Sequence, residues 1–211
     1  ASAGLYVEGT DPDIFGRQVA LRDPSLFVAM LGGNEVLSLN YGTLDTKRFD
    51  AYLTELVHRL KAAAPNASCL LVAPIDAVKA TAAGEELQTR PEIYDVMKVQ
   101  RAVAKREGCA YFDLFDAMGG AGALARFKDK GMLSDDLVHP TWKGGDVLGQ
   151  LFADALLDAY VKTPAPDDGV AVARRKNARV RAPVFAGLMF PAEERPVVVV
   201  KGASDAQKKP A

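Results

Sequence analysis

Three short apolar runs, separated by helical stripes, are the feature that most restricts what this chain can become. Leu26-Phe27-Val28-Ala29-Met30-Leu31 is stopped by Gly32-Gly33. Cys69-Leu70-Leu71-Val72-Ala73-Pro74-Ile75 and Cys109-Ala110-Tyr111-Phe112-Asp113-Leu114-Phe115 follow further along. Runs of this kind, apolar without alternation, read as strands buried on both faces of a parallel sheet. Between the first two, Phe49, Leu53, Leu56, Val57 and Leu60 recur at helical spacing until Pro65 ends the stripe. Between the second and third, Pro91 sits at a first helical position, Ile93, Met97, Gln100 and Ala104 continue the helix, and Gly108 closes it. A last helix near 143–161 has Val147, Leu148, Leu151, Phe152, Ala155, Leu156 and Tyr160 as its apolar face. This order predicts an α/β domain in which a parallel sheet is flanked by helices.

In such sheets a ligand site lies outside the carboxyl ends of the strands. Two stretches converge there. Gly32-Gly33-Asn34-Glu35 follows the first strand directly, and Asp136-Leu137-Val138-His139-Pro140-Thr141 follows the third. A carboxylate three residues from a histidine can accept its Nδ1–H, fix the tautomer and leave Nε2 as a general base. That is the base-and-orienter half of a nucleophilic triad. Asn34 carries a neutral donor at the same edge, although Gly-Gly-Asn is also a common turn after a strand. Trp142, three residues after His139, is either a wall of the pocket or plain packing, and His58 reads as a surface residue of its helix.

The bulk properties narrow the function. At 211 residues the chain is long enough for one domain and a tail. We place the domain at 1–162 and a Pro-rich, partly basic tail or linker at 163–211. The 26 basic and 27 acidic residues balance, which argues against a general nucleic-acid or membrane-surface binder. No apolar run approaches a membrane span. The start Ala-Ser-Ala-Gly lacks a signal-like segment and reads as a processed or trimmed product. Two cysteines make neither a disulfide framework nor a zinc site. Cys69 and Cys109 each open a strand, and if those strands are neighbours the pair comes within disulfide reach. A bridge would point to a secreted or periplasmic protein; two reduced core thiols would fit the cytoplasm.

With Gly-x-Asn after one buried strand and Asp-x-x-His-Pro-Thr before the last helix, residues 1 to about 161 resemble the SGNH (GDSL-type) hydrolase superfamily. The resemblance implies a flavodoxin-like three-layer fold and an esterase, lipase or carbohydrate deacetylase. Gly32-Gly33-Asn34-Glu35 matches the family's Gly-x-Asn-Asp block, with Glu35 where aspartate is usual. Carried over residue by residue, His139 would be the general base and Asp136 its orienting acid. Asn34 would donate its side-chain amide to the oxyanion, and Gly4, 30 positions earlier, its backbone N–H. Pre-aimed neutral donors of this kind stabilise the charge of a tetrahedral intermediate.

One block is missing from its usual place. The strand followed by Gly-Asp-Ser, which carries the nucleophile, should precede Gly4. Without it the sheet would expose apolar, unpaired edges. Two sources are open: an N-terminal fragment of a longer polypeptide, or the stretch Val197-Val198-Val199-Val200-Lys201-Gly202-Ala203-Ser204, a permuted strand with Ser204 as nucleophile. The expected function is a serine esterase or deacetylase removing acetyl or other short acyl groups from a carbohydrate or small-molecule ester, with no cofactor or metal. Acyl transfer to a sugar hydroxyl would use the same residues. The alternative is a catalytically inactive binding or scaffolding module on the same fold.

Overall fold

A computed structural model describes residues 1–81 and 86–162. Two helices come first, α1 (Ala3–Glu8) and α2 (Pro12–Ala20), followed by β1 (Leu26–Met30). Helices α3 (Gly33–Asn40) and α4 (Thr46–Ala63) lead to β2 (Ser68–Val72) and to a small hairpin of β3 (Val78–Ala80) and β4 (Leu87–Thr89). Then come α5 (Glu92–Glu107), β5 (Ala110–Phe112), the short α6 (Leu114–Ala117) and α7 (Ala123–Asp129), and the long α8 (Trp142–Lys162).

The main sheet has the order β1-β2-β5 and is parallel throughout. Register runs from Leu26 opposite Ser68 to Met30 opposite Val72, and from Leu70 opposite Ala110 to Val72 opposite Phe112. Parallel neighbours need helical crossovers, and the local sequence supplies them. Asp45 caps α4 by accepting from the Arg48 N–H at 2.7 Å. Gly108 ends α5 in the left-handed conformation that glycine adopts without penalty (φ +65°). Cys69 and Cys109 lie side by side at the starts of β2 and β5 and form a disulfide with Cα atoms 4.7 Å apart. A bridge spanning 40 residues typically adds about 2–4 kcal/mol, mainly by restricting the unfolded chain.

The two faces of the sheet are filled differently. Phe27, Ala29, Leu71 and Ala73 join Phe49, Leu53 and Val57 of α4 and Ile93 and Val96 of α5 in one closed core. Leu70, Val72 and Phe112 face the other way, onto Leu124 and Phe127 of α7 and Val147 and Leu148 of α8. That second layer stops short of β1. Leu26, Val28 and Met30 are 37%, 42% and 51% exposed, and Leu156 and Tyr160 near the end of α8 are also open. The sequence predicts β1 buried on both faces, and this is corrected. Among the described residues β1 pairs on one edge only, and its Leu26, Val28 and Met30 face stays partly open.

The segment 118–131, read from its glycines as irregular, contains α7, which buries Ala123, Leu124 and Phe127. No helix among the described residues is long and apolar enough to cross a membrane.

Candidate active site

The turn from β1 into α3 is built on Gly32. Its φ of +121° is open to glycine, and a Cβ there would come within 3.0 Å of Pro74 and Val96. The Gly32 N–H donates to Glu35 Oε2 at 3.0 Å, closing the first turn of α3, while Glu35 Oε1 accepts from the Ala3 N–H at 2.7 Å. Glu35 is only 2% exposed, so one carboxylate joins the start of α1 to the end of β1 in the interior. Gln100 braces the same edge from below, donating to the carbonyls of Leu31 and, less closely, Val72.

Asn34, the second residue of α3, points outward and donates through Nδ2 to the Ala1 carbonyl at 2.8 Å. Gly4 stands in the first turn of α1, where an N–H has no intrahelical acceptor. It packs so closely on Tyr52 that a Cβ would lie 3.1 Å from the ring.

The Asp136–His139 loop is equally specific. The His139 Nδ1 lies 2.8 Å from Asp136 Oδ2, while Oδ1 accepts from the backbone N–H groups of Val138 and His139, each at 2.9 Å. These bonds favour the ionised form. The His139 N–H, the His139 ring and the Val138 N–H, in that order, bring the Asp136 carboxyl down to about 2. Leu137 sits between them with φ +59°, a conformation that disfavours a leucine by about 1–2 kcal/mol. The loop holds it there: Leu137 N–H donates to Ser134 O at 3.1 Å and Ser134 N–H to His139 O at 2.9 Å. Thr141, just before α8, closes the base of the loop by donating through Oγ1 to Gly131 O, just past α7, at 3.0 Å.

Both stretches border one cavity of about 650 Å³ at the carboxyl ends of β1 and β2, lined by Asn34, Asp136 and His139 among others. Gly4 does not line it, although Ala1 does. None of the lining residues among those described is a serine. Ser204 lies outside the described residues. Trp142 is 94% exposed and absent from the lining, so neither sequence reading of it holds.

Three charged lining residues were not singled out from the sequence: Asp76, Lys79 and Arg90. Asp76 is buried, accepting from Thr89 Oγ1 at 2.9 Å and the Leu124 N–H at 3.1 Å. Burial is the main influence on its carboxyl and raises its pKa, against those hydrogen bonds. The available signal was position, since 74–80 directly follows the carboxyl end of a parallel strand. Among the described residues no cluster of three or more His, Cys, Asp or Glu side chains is placed to hold a metal.

A family model for GDSL-like lipases/acylhydrolases matches residues 5–147. The chain belongs to the GDSL-like lipase/acylhydrolase family. The matched span includes Asn34, Asp136 and His139 and begins one residue after Gly4. Among solved structures, this GDSL-family chain is similar to a peptidoglycan O-acetylesterase, with 22% identity and a TM-score of 0.62. The match covers 68% of this chain but 40% of that one, so the chain spans well under half of that esterase's length. It is also similar to a protein of Parabacteroides merdae described as a GDSL-like lipase, with 16% identity, a TM-score of 0.51, and coverage of 70% and 68% of the two chains. At these identities the likeness concerns the fold. Proteins of curated function gave no match in a sequence comparison.

Proposed function

We propose that this chain contributes the base, its orienting acid and the oxyanion donors of a serine esterase that removes acetyl or other short acyl groups from a carbohydrate or small-molecule ester. The observation that carries the reading is the 2.8 Å contact of His139 Nδ1 with Asp136, in the cavity that Asn34 also lines. With Nδ1 engaged by a carboxylate, Nε2 is the nitrogen available for proton transfer.

A serine Oγ would attack the ester carbonyl carbon while its proton passes to His139 Nε2. The Asn34 amide and the Gly4 N–H would take the negative oxygen, Asn34 exchanging its present acceptor, Ala1 O, for it. Collapse would expel the sugar alkoxide, which recovers the proton from His139. Water would then hydrolyse the acyl-serine by the same relay. The acetyl preference draws support from the acetylesterase that shares the fold, and the lipase-like neighbour leaves longer acyl groups as a rival.

The nucleophile would arrive on a strand seated beside β1. The edge of β1 that is unpaired among the described residues is where such a strand would pair, beside the partly open Leu26, Val28 and Met30; Met30 also lines the cavity. Within the sequence, Val197–Val200 followed by Gly202-Ala203-Ser204 supplies that pattern.

Fluorophosphonate labelling with peptide mapping tests this. An adduct on Ser204 identifies a permuted nucleophile. One on a co-purifying N-terminal fragment makes the enzyme a two-piece assembly. A folded sample that takes no label anywhere would overturn the esterase reading and leave the second reading, an inactive binding module.

A further inference from the structure

The charged groups around the cavity are equal in number but, among the described residues, the carboxylates and the cations are not paired with one another. Its two carboxylates are already served: Asp136 by His139 and two backbone N–H groups, Asp76 by Thr89 and Leu124. Its two cations, Lys79 and Arg90, meet no carboxylate among the described residues. Arg90 is half-buried and held by neutral groups alone. Its Nε donates to Val78 O at 3.1 Å and its Nη1 to Asn40 Oδ1 at 3.2 Å, and Nη2 has no partner among the described residues. Two fixed bonds orient the guanidinium and leave part of its fork unused, an arrangement that favours a planar anion.

We infer that Arg90, assisted by Lys79, forms a subsite for a carboxylate on the acylated molecule, so that the preferred substrate is an ester of a sugar acid and not of a neutral sugar. This rests on reading the cavity as the substrate site. Bracing the hairpin against α3 is a job that Nε and Nη1 complete without Nη2. A purely structural arginine therefore predicts no preference between charged and neutral sugars.

Titrating the full chain with D-glucuronate and with D-glucose, followed by NMR, separates the two without requiring a nucleophile. Glucuronate is expected to bind about tenfold more tightly than glucose, the scale of one charge-assisted hydrogen bond, and to weaken as salt is raised. Arg90→Gln should remove the preference with glucose binding unchanged, and Arg90→Lys should restore part of it. Should Arg90→Gln fail to fold, Asn40→Asp keeps the arginine and places an internal carboxylate beside it, which should also abolish the preference. Equal binding of the two sugars, or a preference that survives both Arg90→Gln and Asn40→Asp, would overturn the subsite. Serine labelling without anion preference defeats this inference alone; anion preference without labelling defeats only the esterase reading.

Discussion

Glu35 and Asp136 hold their surroundings in the same way and lie in opposite environments. Each carboxylate accepts two backbone N–H groups, Glu35 from Ala3 and Gly32, Asp136 from Val138 and His139. Glu35 is 2% exposed and bridges segments 32 residues apart, whereas the Asp136 side chain is half in solvent and closes a turn of three residues. Burial decides where the loss of each would register. A buried acceptor leaves orphaned donors when removed, so its absence falls on stability. An exposed one is replaced by water at little expense, so what it does for the histidine is felt in the chemistry.

The largest expected effect follows directly. Asp136→Asn keeps the size of the side chain but favours the wrong imidazole tautomer. In the triad framework this lowers kcat for p-nitrophenyl acetate by about 10²–10⁴-fold at neutral pH. The thermal midpoint should move by no more than about 2 °C, the size of a weak surface interaction. A drop smaller than tenfold would remove Asp136 from the relay and erase the contrast.

Glu35→Ala tests the other half. It strands the N–H groups of Ala3 and Gly32 in the interior, at about 1–3 kcal/mol each, so urea unfolding should show a loss of about 3 kcal/mol. Glu35→Asp, which restores the aspartate usual in this family, is one methylene short of spanning both donors. It should lose about half as much, because one bond survives. If Asp136→Ala destabilises the chain as much as Glu35→Ala, burial is not what separates the two carboxylates.

The exposed loop has a buried footing of its own, which gives a third and smaller effect. Gly144, in the first turn of α8, lies so close to the loop that a Cβ would come within 2.1 Å of Met132 O. Gly144→Ala should therefore push the loop off α8 at about 1–3 kcal/mol, the usual penalty of overpacking. The same shift should lengthen the Asp136–His139 contact, visible as a change in the His139 ring resonances. An alanine variant with unchanged stability and resonances would show that the loop is not anchored there.

What could be read from the sequence follows the same division between periodic and contact-dependent features. The apolar runs and the stripes of α4 and α5 are periodic, and they located the sheet and its crossovers. Asp136 and His139 were legible because their interaction is local, three residues apart. Glu35 was visible only as a departure from a family pattern, since its partner Ala3 is 32 residues away and no periodicity signals that pairing. Arg90 was invisible for a similar reason: its acceptors Val78 and Asn40 belong to a three-residue strand and a helix end. Short elements such as β3, β4 and α7 carry too few residues for a repeat to emerge. The exposure of β1 was not legible in Leu26–Met30, whose residues do not say how many neighbours a strand has; it was legible only through the missing block, which predicted apolar, unpaired edges.

The smallest effect concerns acid. Asp136 titrates near 2 in the folded chain, held down chiefly by the His139 N–H, then by the His139 ring and the Val138 N–H. In the unfolded chain an aspartate titrates near 4. A carboxylate whose folded value is the lower of the two contributes stability that is fully present above about pH 4 and disappears as pH falls through about 2. The wild type should therefore be slightly the more stable of the two when compared with Asp136→Asn at pH 5, and the gap in urea midpoint should close by pH 2. Carbon-13 titration of the Asp136 carboxyl supplies the independent check, with a midpoint near 2. A midpoint near 4, or a gap that stays constant with pH, would mean that the Val138 and His139 N–H groups do not hold this carboxylate in solution. The carboxylate would still be ionised at neutral pH, but the turn would no longer hold it in place to orient the histidine.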